Sequence, residues 1–495
     1  MKRFWLVLLS LGLILAFSAS AFAVDVKVSG SYYAAGMYQN KTTFIKNGFY
    51  VSGYDENGAP ILTPSEGGPS TAFFYQRLRV QTDFIVSPSL KLITRFDAME
   101  RIWGGVRNTE LEPPIAAPDS AGSRSENENI AFDWAYVEYV SPIGMFDVGY
   151  MDDGGWGTIF GDSSVPRGVV SWAAQQGPWT AFLQILKIGD NSSSAVRSSS
   201  VTDNDTDKYQ CGFMYDWKGG QAGLLGIYYR EASGRPAISP GPPYTPIPAG
   251  TDIGVLGNVY VLQPFVIANI GPVKLQAELD YAFGNIKMDN PLLSGNDMRV
   301  DNLAAWIDAT VTLKQFYFGG SFAYVAGNDW SKSDVIKGGF LTGGMDWNPT
   351  LLLFNNERQR WAGSIIGNNV TSTSMNYISQ QFNLNDTGMY NAWFLQGRAG
   401  IRPTDKLDIM ASISYAWADS KTLPGGLADA VSATYGTEID LIGNYKITNN
   451  LTYMLGAAYL FTGDYFKGSS TFVDYVGNAE VSDNYMFINK LTLSF

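Results

Sequence analysis

The segment Tyr485-Met486-Phe487-Ile488-Asn489-Lys490-Leu491-Thr492-Leu493-Ser494-Phe495 ends the chain, and its reading decides the fold. Tyr485, Phe487, Leu491, Leu493 and Phe495 fall on one parity; Asn484, Lys490, Thr492 and Ser494 fall on the other. A period of two puts these sets on opposite faces of a β-strand, one apolar and one polar. In water such an apolar edge would invite aggregation. It is stable where the strand closes a barrel whose outer face meets lipid, because closure satisfies every backbone group. An ordinary C-terminal edge strand is the competing reading, and the rest of the chain decides against it.

The same alternation recurs upstream. Leu407, Ile409, Ala411, Ile413, Tyr415 and Trp417 oppose Asp408, Met410, Ser412 and Ser414. Val273, Leu275, Ala277, Leu279, Tyr281 and Phe283 oppose Lys274, Gln276, Glu278 and Asp280, and Leu451 to Phe461 form another such row. Gly, Pro or Asn marks short turns near Pro88-Ser89, Pro142-Ile143-Gly144, Gly177-Pro178, Gly219-Gly220, Gly271-Pro272, Pro403-Thr404 and Asn449-Asn450, with Gln315 at an eighth. Longer connections follow at 39–71, 104–128, 153–164, 191–206, 232–253, 286–300, 328–387, 419–432 and 465–480. Nine long loops and eight short turns give about eighteen strands, with sixteen as the alternative, and put both chain ends on the short-turn side. The expected class is all-β: a closed antiparallel transmembrane β-barrel over 24–495, with short periplasmic turns and long extracellular loops. Stretches near 129–141, 165–190 and 254–269 are apolar on both parities, which fits packing against a neighbouring subunit or an inward loop.

Residues 1–23 read as a secretory signal peptide. Lys2 and Arg3 supply charge, Phe4 to Phe17 the apolar run, and Ala21-Phe22-Ala23 a small-x-small cleavage site. No later segment offers the roughly twenty uncharged apolar residues of a membrane helix. No plug domain is expected ahead of the first strand. At 45% hydrophobic the chain would pass for soluble by hydropathy, yet barrels look like this because only alternate residues face lipid.

Cys211 is the only cysteine and histidine is absent. Those facts exclude an intrachain disulfide, a c-type haem site and a thiolate cage, and remove the commonest catalytic base and metal ligand. No enzyme activity, cofactor or metal is expected. A formal charge of −12, more negative still without Lys2 and Arg3, argues against nucleic acid as a partner. The run Asp203 to Asp207 has the start of a calcium loop but lacks the following Gly and distal Glu, and reads as a solvated acidic loop. Ser239 to Pro248 reads as a rigid, Pro-rich external loop.

Inward parity should carry function. On the second strand Arg77 and Arg79 share a face with Gln81 and Asp83; on the third, Lys91, Arg95, Asp97 and Arg101 share one. Nine strands away, the opposite wall carries Glu278, Asp280 and Asp308. The expectation is a transverse field, arginines facing carboxylates across a wet lumen. Local pairing, of Asp97 with Arg95 or Asp83 with Arg79, is the alternative. Tyr228, Trp306 and Phe394 are inward aromatic candidates on scattered strands.

The whole pattern resembles the bacterial outer-membrane porins. It does so in the terminal Phe495, the cadence from Ala135-Tyr136-Val137-Glu138-Tyr139 to Gly149-Tyr150, the basic early strands, and an acidic loop after strand five. That loop holds Asp152, Asp153, Gly154 to Gly157, Phe160 and Asp162. The resemblance implies a passive outer-membrane channel for small hydrophilic solutes and ions in a Gram-negative bacterium. It also implies a homotrimer set in membrane lipid, with Phe495 as insertion and closure signal for the barrel assembly machinery. Two departures stand out. Eighteen strands suit substrate-specific channels better than sixteen-stranded general porins, and the loop after strand five is short for a main constriction. The connection 328–387 is the better constrictor, with Phe340 to Trp347, Leu351 to Phe354 and Asp346 as its acidic candidate. It folds into the mouth, packs over a neighbouring subunit, or hides a further strand pair. A channel specific for sugars or carboxylates is the second functional reading, and a non-conducting adhesin or anchor the third.

Overall fold

The structure is a computed structural model describing residues 24–42, 44–54, 60–65, 69–104, 130–153, 155–162, 164–190, 205–232, 255–288, 297–332, 334–362, 388–422, 429–467 and 480–495. Residues 1–23, read above as a signal peptide, the Pro-rich stretch, and Asp203 and Asn204 lie outside the described residues. Eighteen long strands form the wall. They are β1 (Asp25–Gln39), β2 (Thr71–Ser87), β3 (Leu90–Ile102), β4 (Ile130–Ser141), β5 (Gly144–Asp152), β6 (Pro166–Gln176), β7 (Trp179–Gly189), β8 (Thr206–Trp217) and β9 (Gly220–Glu231). They continue as β10 (Val255–Ile270), β11 (Val273–Met288), β12 (Met298–Leu313), β13 (Phe316–Val325), β14 (Ala392–Thr404), β15 (Leu407–Ala418), β16 (Thr434–Lys446), β17 (Leu451–Thr462) and β18 (Asn484–Ser494). Each pairs antiparallel with its sequence neighbour. The sheet closes where β18 meets β1, from Ser31 opposite Ser494 to Gln39 opposite Met486.

Closure extends to the last residue. Gly30 N–H donates to the Phe495 carbonyl at 2.8 Å, and Phe495 N–H to the Gly30 carbonyl at 3.0 Å. An added Cβ at Gly30 would come within 2.3 Å of the Arg79 backbone carbonyl and 2.8 Å of the Phe495 ring, so glycine allows both close approaches. The eight short turns fall where expected to within two residues: Lys218-Gly219 is the turn before β9, which Gly220 opens, and Pro403 and Thr404 end β14, so that the turn there is Asp405-Lys406. Proline tolerates a strand end, where its missing N–H breaks no ladder.

The outer face is apolar. Leu183, Ile185, Phe213, Leu224, Leu262, Leu279, Ile307, Leu395, Ile413, Leu441 and Leu455 are all exposed there. Aromatic rows bound this belt. Toward the long loops Tyr209, Tyr228, Tyr260 and Phe283 stack in sequence at 5.0–6.0 Å between centroids. Toward the turns Trp179, Tyr215 and Trp217 stack similarly. From Tyr209 to Trp217 a tilted strand climbs about 20 Å, the height of a membrane-spanning band with aromatic girdles. Tyr228 thus belongs to the outer girdle, not the lumen, because its cross-strand partners Tyr209 and Tyr260 face out.

A bulge in β3 changes one further assignment. Met99 has φ of 53°, and the register jumps so that Gln76 pairs with Arg101 where Leu78 pairs with Ala98. A bulge inserts one residue and reverses parity beyond it. Arg101 therefore shares the outward face of Gln76, and Glu100 takes the inward place in its stead.

Candidate pore constriction

The loop after β5, residues 153–165, crosses the lumen despite its length. Its root is fixed by Asp153, whose carboxylate accepts from Lys208 Nζ at 2.7 Å and from Val165 N–H at 3.0 Å. Trp156 then packs against Phe182 of β7 and Phe265 of β10, and its indole N–H donates to the Gln263 carbonyl at 2.9 Å. The β10–β11 register skips Gln263 and Pro264, so the wall is irregular where the loop lands on it. Thr158 donates its N–H to Glu278 of β11 at 2.7 Å and its hydroxyl to the same oxygen. Phe160, fully buried, stacks on Trp306 of β12 at 5.9 Å. The apolar inward residues of β10, which parity alone left unexplained, are the floor on which this loop lies.

The long connection between β13 and β14 enters from the other side. Its described part includes Val335–Ile336, paired parallel to Arg299 and Val300 of β12, and a short helix, α1 (Asn356–Ala362). Asn302, completely buried, accepts the N–H groups of Phe340 and Leu341 at 3.0 and 2.8 Å. Farther along, Glu438 of β16 accepts three backbone N–H groups, from Leu351, Leu352 and Leu353, at 3.1, 2.7 and 2.8 Å. The three leucines and Trp347 are buried with Phe394, Tyr435, Leu460, Met486 and Ile488 of the wall. On α1, Trp361 stacks on Tyr75 of β2 at 4.7 Å, Arg360 pairs with Glu100 at 3.1 Å, and Glu357 pairs with Lys490 at 2.5 Å. This segment fills the lumen from β12 round to β3. Trp306 and Phe394 are inward as expected, but both lie beneath loops.

The two loops meet in the lumen. Gly344 N–H donates to the Phe160 carbonyl at 2.5 Å, and Met345 N–H to the Asp162 carbonyl at 3.0 Å. Their junction leaves Asp346 exposed beside Asp162 and Asp152, facing the arginines of β2 and β3. Partial burial inside the barrel holds the Asp346 carboxyl above the usual range. The Asp162 and Asp152 charges add to this, and Arg79 and Arg77 offset it.

The basic wall is laced with acids. Arg79 makes a bidentate pair with Asp97, both contacts at 2.7 Å, and reaches Asp133 at 3.1 Å. Arg95 stacks on Trp134 at 3.5 Å and contacts Asp133 at 3.2 Å and Asp152 at 3.6 Å. Arg77 lies 3.8 Å from Glu100, and Lys91 pairs with Glu138 at 2.5 Å.

The expected transverse field between β2–β3 and β11–β12 is not what forms. Glu278 and Asp280 lie buried beneath loop 153–165, and Asp280 accepts from Gln263 Nε2 at 2.9 Å. Asp308 is held by Arg398 of β14, with two contacts at 2.7 Å. The guanidinium passes over Gly319 of β13 to get there; a Cβ at Gly319 would sit 2.8 Å from it. Carboxylates on a partly dry wall find local cations or donors before they face a distant charge. The acids opposite the arginines are instead Asp162 and Asp346 of the loops, while Asp152, at the end of β5, contacts Arg95 directly. Asp153, bound to Lys208, anchors the loop root.

Parity reasoning missed Trp134, Asp133 and Arg398, which lie on no run that stood out. It also missed a legible repeat. Glu278-Leu279-Asp280 and Glu438-Ile439-Asp440 are the same pattern on inward parity, and each holds one inward loop. Among the described residues no cluster of metal-ligating side chains is present.

No family model matches the chain, and no curated protein matches it. Among solved structures, the outer membrane protein OpdK from Pseudomonas aeruginosa is similar at 12% identity, covering 95% of this chain and 99% of that one, with a TM-score of 0.46. OccAB2 of Acinetobacter baumannii is similar at 10% identity, with 96% and 99% coverage and a TM-score of 0.49. An anion-selective porin from Comamonas acidovorans is similar at 9% identity, with 95% and 99% coverage and a TM-score of 0.38.

Proposed function

We propose that this chain is an outer-membrane porin of a Gram-negative bacterium, passing small hydrophilic solutes and ions by diffusion. The observation that carries the reading is the eyelet. Two loops from opposite sides of a closed, lipid-facing barrel hydrogen-bond to each other inside it. They leave Arg77 and Arg79 on the wall facing Asp162 and Asp346 on the loops, with the Arg95–Asp152 contact at the edge of that polar passage. Charged groups of both signs lining a narrow passage favour hydrated polar solutes and penalise apolar ones.

One observation favours a more restricted channel. The segment 340–362 fills the lumen from β12 to β3, so the open section is a fraction of what eighteen strands could enclose. Liposome swelling with a graded series of neutral and charged solutes tests both readings. Uptake falling smoothly with solute size supports general diffusion, and saturation by one solute class supports the restricted channel. A correctly folded barrel that admits none overturns the porin reading in favour of an anchor or adhesin.

A further inference from the structure

Arg77, Arg79, Arg95 and Arg398 each have a carboxylate within ion-pair distance on the inner wall. Arg167 of β6 has none. Among the described residues its side chain makes no ion pair and no hydrogen bond, and its Nε is buried. It lines a cavity of about 480 Å³ at the long-loop ends of β6 to β10. Loop 153–165 closes one side of this cavity with Trp156, Gly161 and Val165. The long connection closes another with Phe340, Leu341 and Met345. The eyelet lies beyond that pair of loops, toward β2 and β3.

The cavity wall is mainly aliphatic, with Ile188, Leu225, Ile227, Val259 and Val261. Its volume falls in the range of small-molecule sites, about 300–1,000 Å³. The other charged groups that line it are engaged. Lys208 pairs with Asp153 at 2.7 Å. Glu231, 2% exposed, takes the Thr206 hydroxyl at 3.0 Å, and Asp280, 1% exposed, takes the Gln263 amide at 2.9 Å. Neither acid offers an occupant much surface, whereas Arg167 is only partly covered. An aliphatic chamber with one accessible guanidinium suits an apolar body bearing one negative group. A wholly apolar occupant would strand the buried Nε–H, and a second charge would sit unpaired among aliphatic side chains.

We propose that this cavity binds a compact amphiphilic organic monoanion, with Arg167 holding its charged end and the aliphatic wall of β9 and β10 its body. The site lies beside the eyelet and stands independently of the channel reading. Its occupant touches loop 153–165 and the long connection at once. Those loops meet through the Gly344–Phe160 and Met345–Asp162 backbone hydrogen bonds, and the occupant adds a further bridge between them. A ligand that binds only the docked arrangement stabilises it by mass action. Binding therefore braces the junction that frames the passage.

The test uses the full barrel in lipid nanodiscs, with camphorsulfonate as the probe and camphor as its uncharged counterpart. Calorimetry should show camphorsulfonate binding to the wild type. Arg167→Gln should weaken it roughly ten- to a hundredfold, the loss expected of a charge-assisted hydrogen bond. Arg167→Lys should recover part of that loss, and camphor should not distinguish the three proteins. Leu225→Trp fills the aliphatic end, leaves Arg167 in place and should abolish binding of both probes. Heat-modifiable migration on gels checks that each variant is a folded barrel. At a concentration that saturates only the wild type, camphorsulfonate should slow hydrogen exchange at residues 156–162 and 340–345 there and not in Arg167→Gln. No binding to the wild type, equal affinity in Arg167→Gln, or an unaffected Leu225→Trp overturns the site; binding without loop protection overturns the bracing. A barrel that binds the probe and carries no current upholds the site and overturns the channel reading, and conduction without binding does the reverse.

Discussion

Arg398 and Asp308 show how much one pair can carry on this wall. Both are largely buried, and their bidentate contact spans two strands over a glycine. Arg398→Ala leaves a buried carboxylate without its cation, and a loss of about 3–5 kcal/mol is expected. Urea unfolding in lipid vesicles measures it. At the eyelet, Asp346→Asn removes a loop charge, and the reversal potential in a salt gradient should move toward anions. Because Asp346 takes up a proton at higher pH than an ordinary aspartate, wild-type cation preference should begin to fall early on acidification, and Asp346→Asn should remove that component. Alanine at Arg77, Arg79 and Arg95 together should move the reversal potential the other way, and no shift would place the selectivity elsewhere. Residue positions were legible where the strands are regular. Parity put Arg77, Arg79 and Arg95 inside, but one bulge at Met99 sent Arg101 outward. Pairing was less legible than position, since Arg79 chose Asp97 and Arg398 reached past its neighbour.

Among elements, the two inward loops were unequally readable. The connection of β13 to β14 announced itself by length and by its Leu and Trp content, which no solvated loop needs. The loop after β5 was discounted for being short. Six residues going out at about 3.3 Å each already reach roughly 20 Å, enough to cross from β5 to β11. Its true signal lay in the receiving wall: apolar residues at inward positions of β10, with Pro264 marking an irregularity in mid-strand. Deleting 340–360 should raise single-channel conductance, since that segment fills the lumen. Unchanged current would show that the passage is limited by loop 153–165 alone.

For the molecule as a whole, the alternation ending at Phe495 and the turn count were enough to indicate a closed barrel of eighteen strands. They could not indicate what fills it, because lumen packing joins residues hundreds of positions apart. Tyr33 and Met37 of β1 and Tyr75 of β2 share one apolar core with Leu460, Met486 and Ile488 of β17 and β18, through Trp347 and Leu351 to Leu353. That core straddles the seam between the first and last strands, the only joint in the wall with no covalent turn across it. The long connection is therefore an internal clasp on the ring as well as a narrowing of it. Trp347→Ala with Leu352→Ala should let the β1–β18 seam exchange its amide hydrogens faster than the other ladders. A segment that restricts what passes through the barrel is thereby coupled to whether the barrel stays shut, and any widening of the lumen by trimming it is drawn from the strength of the ring.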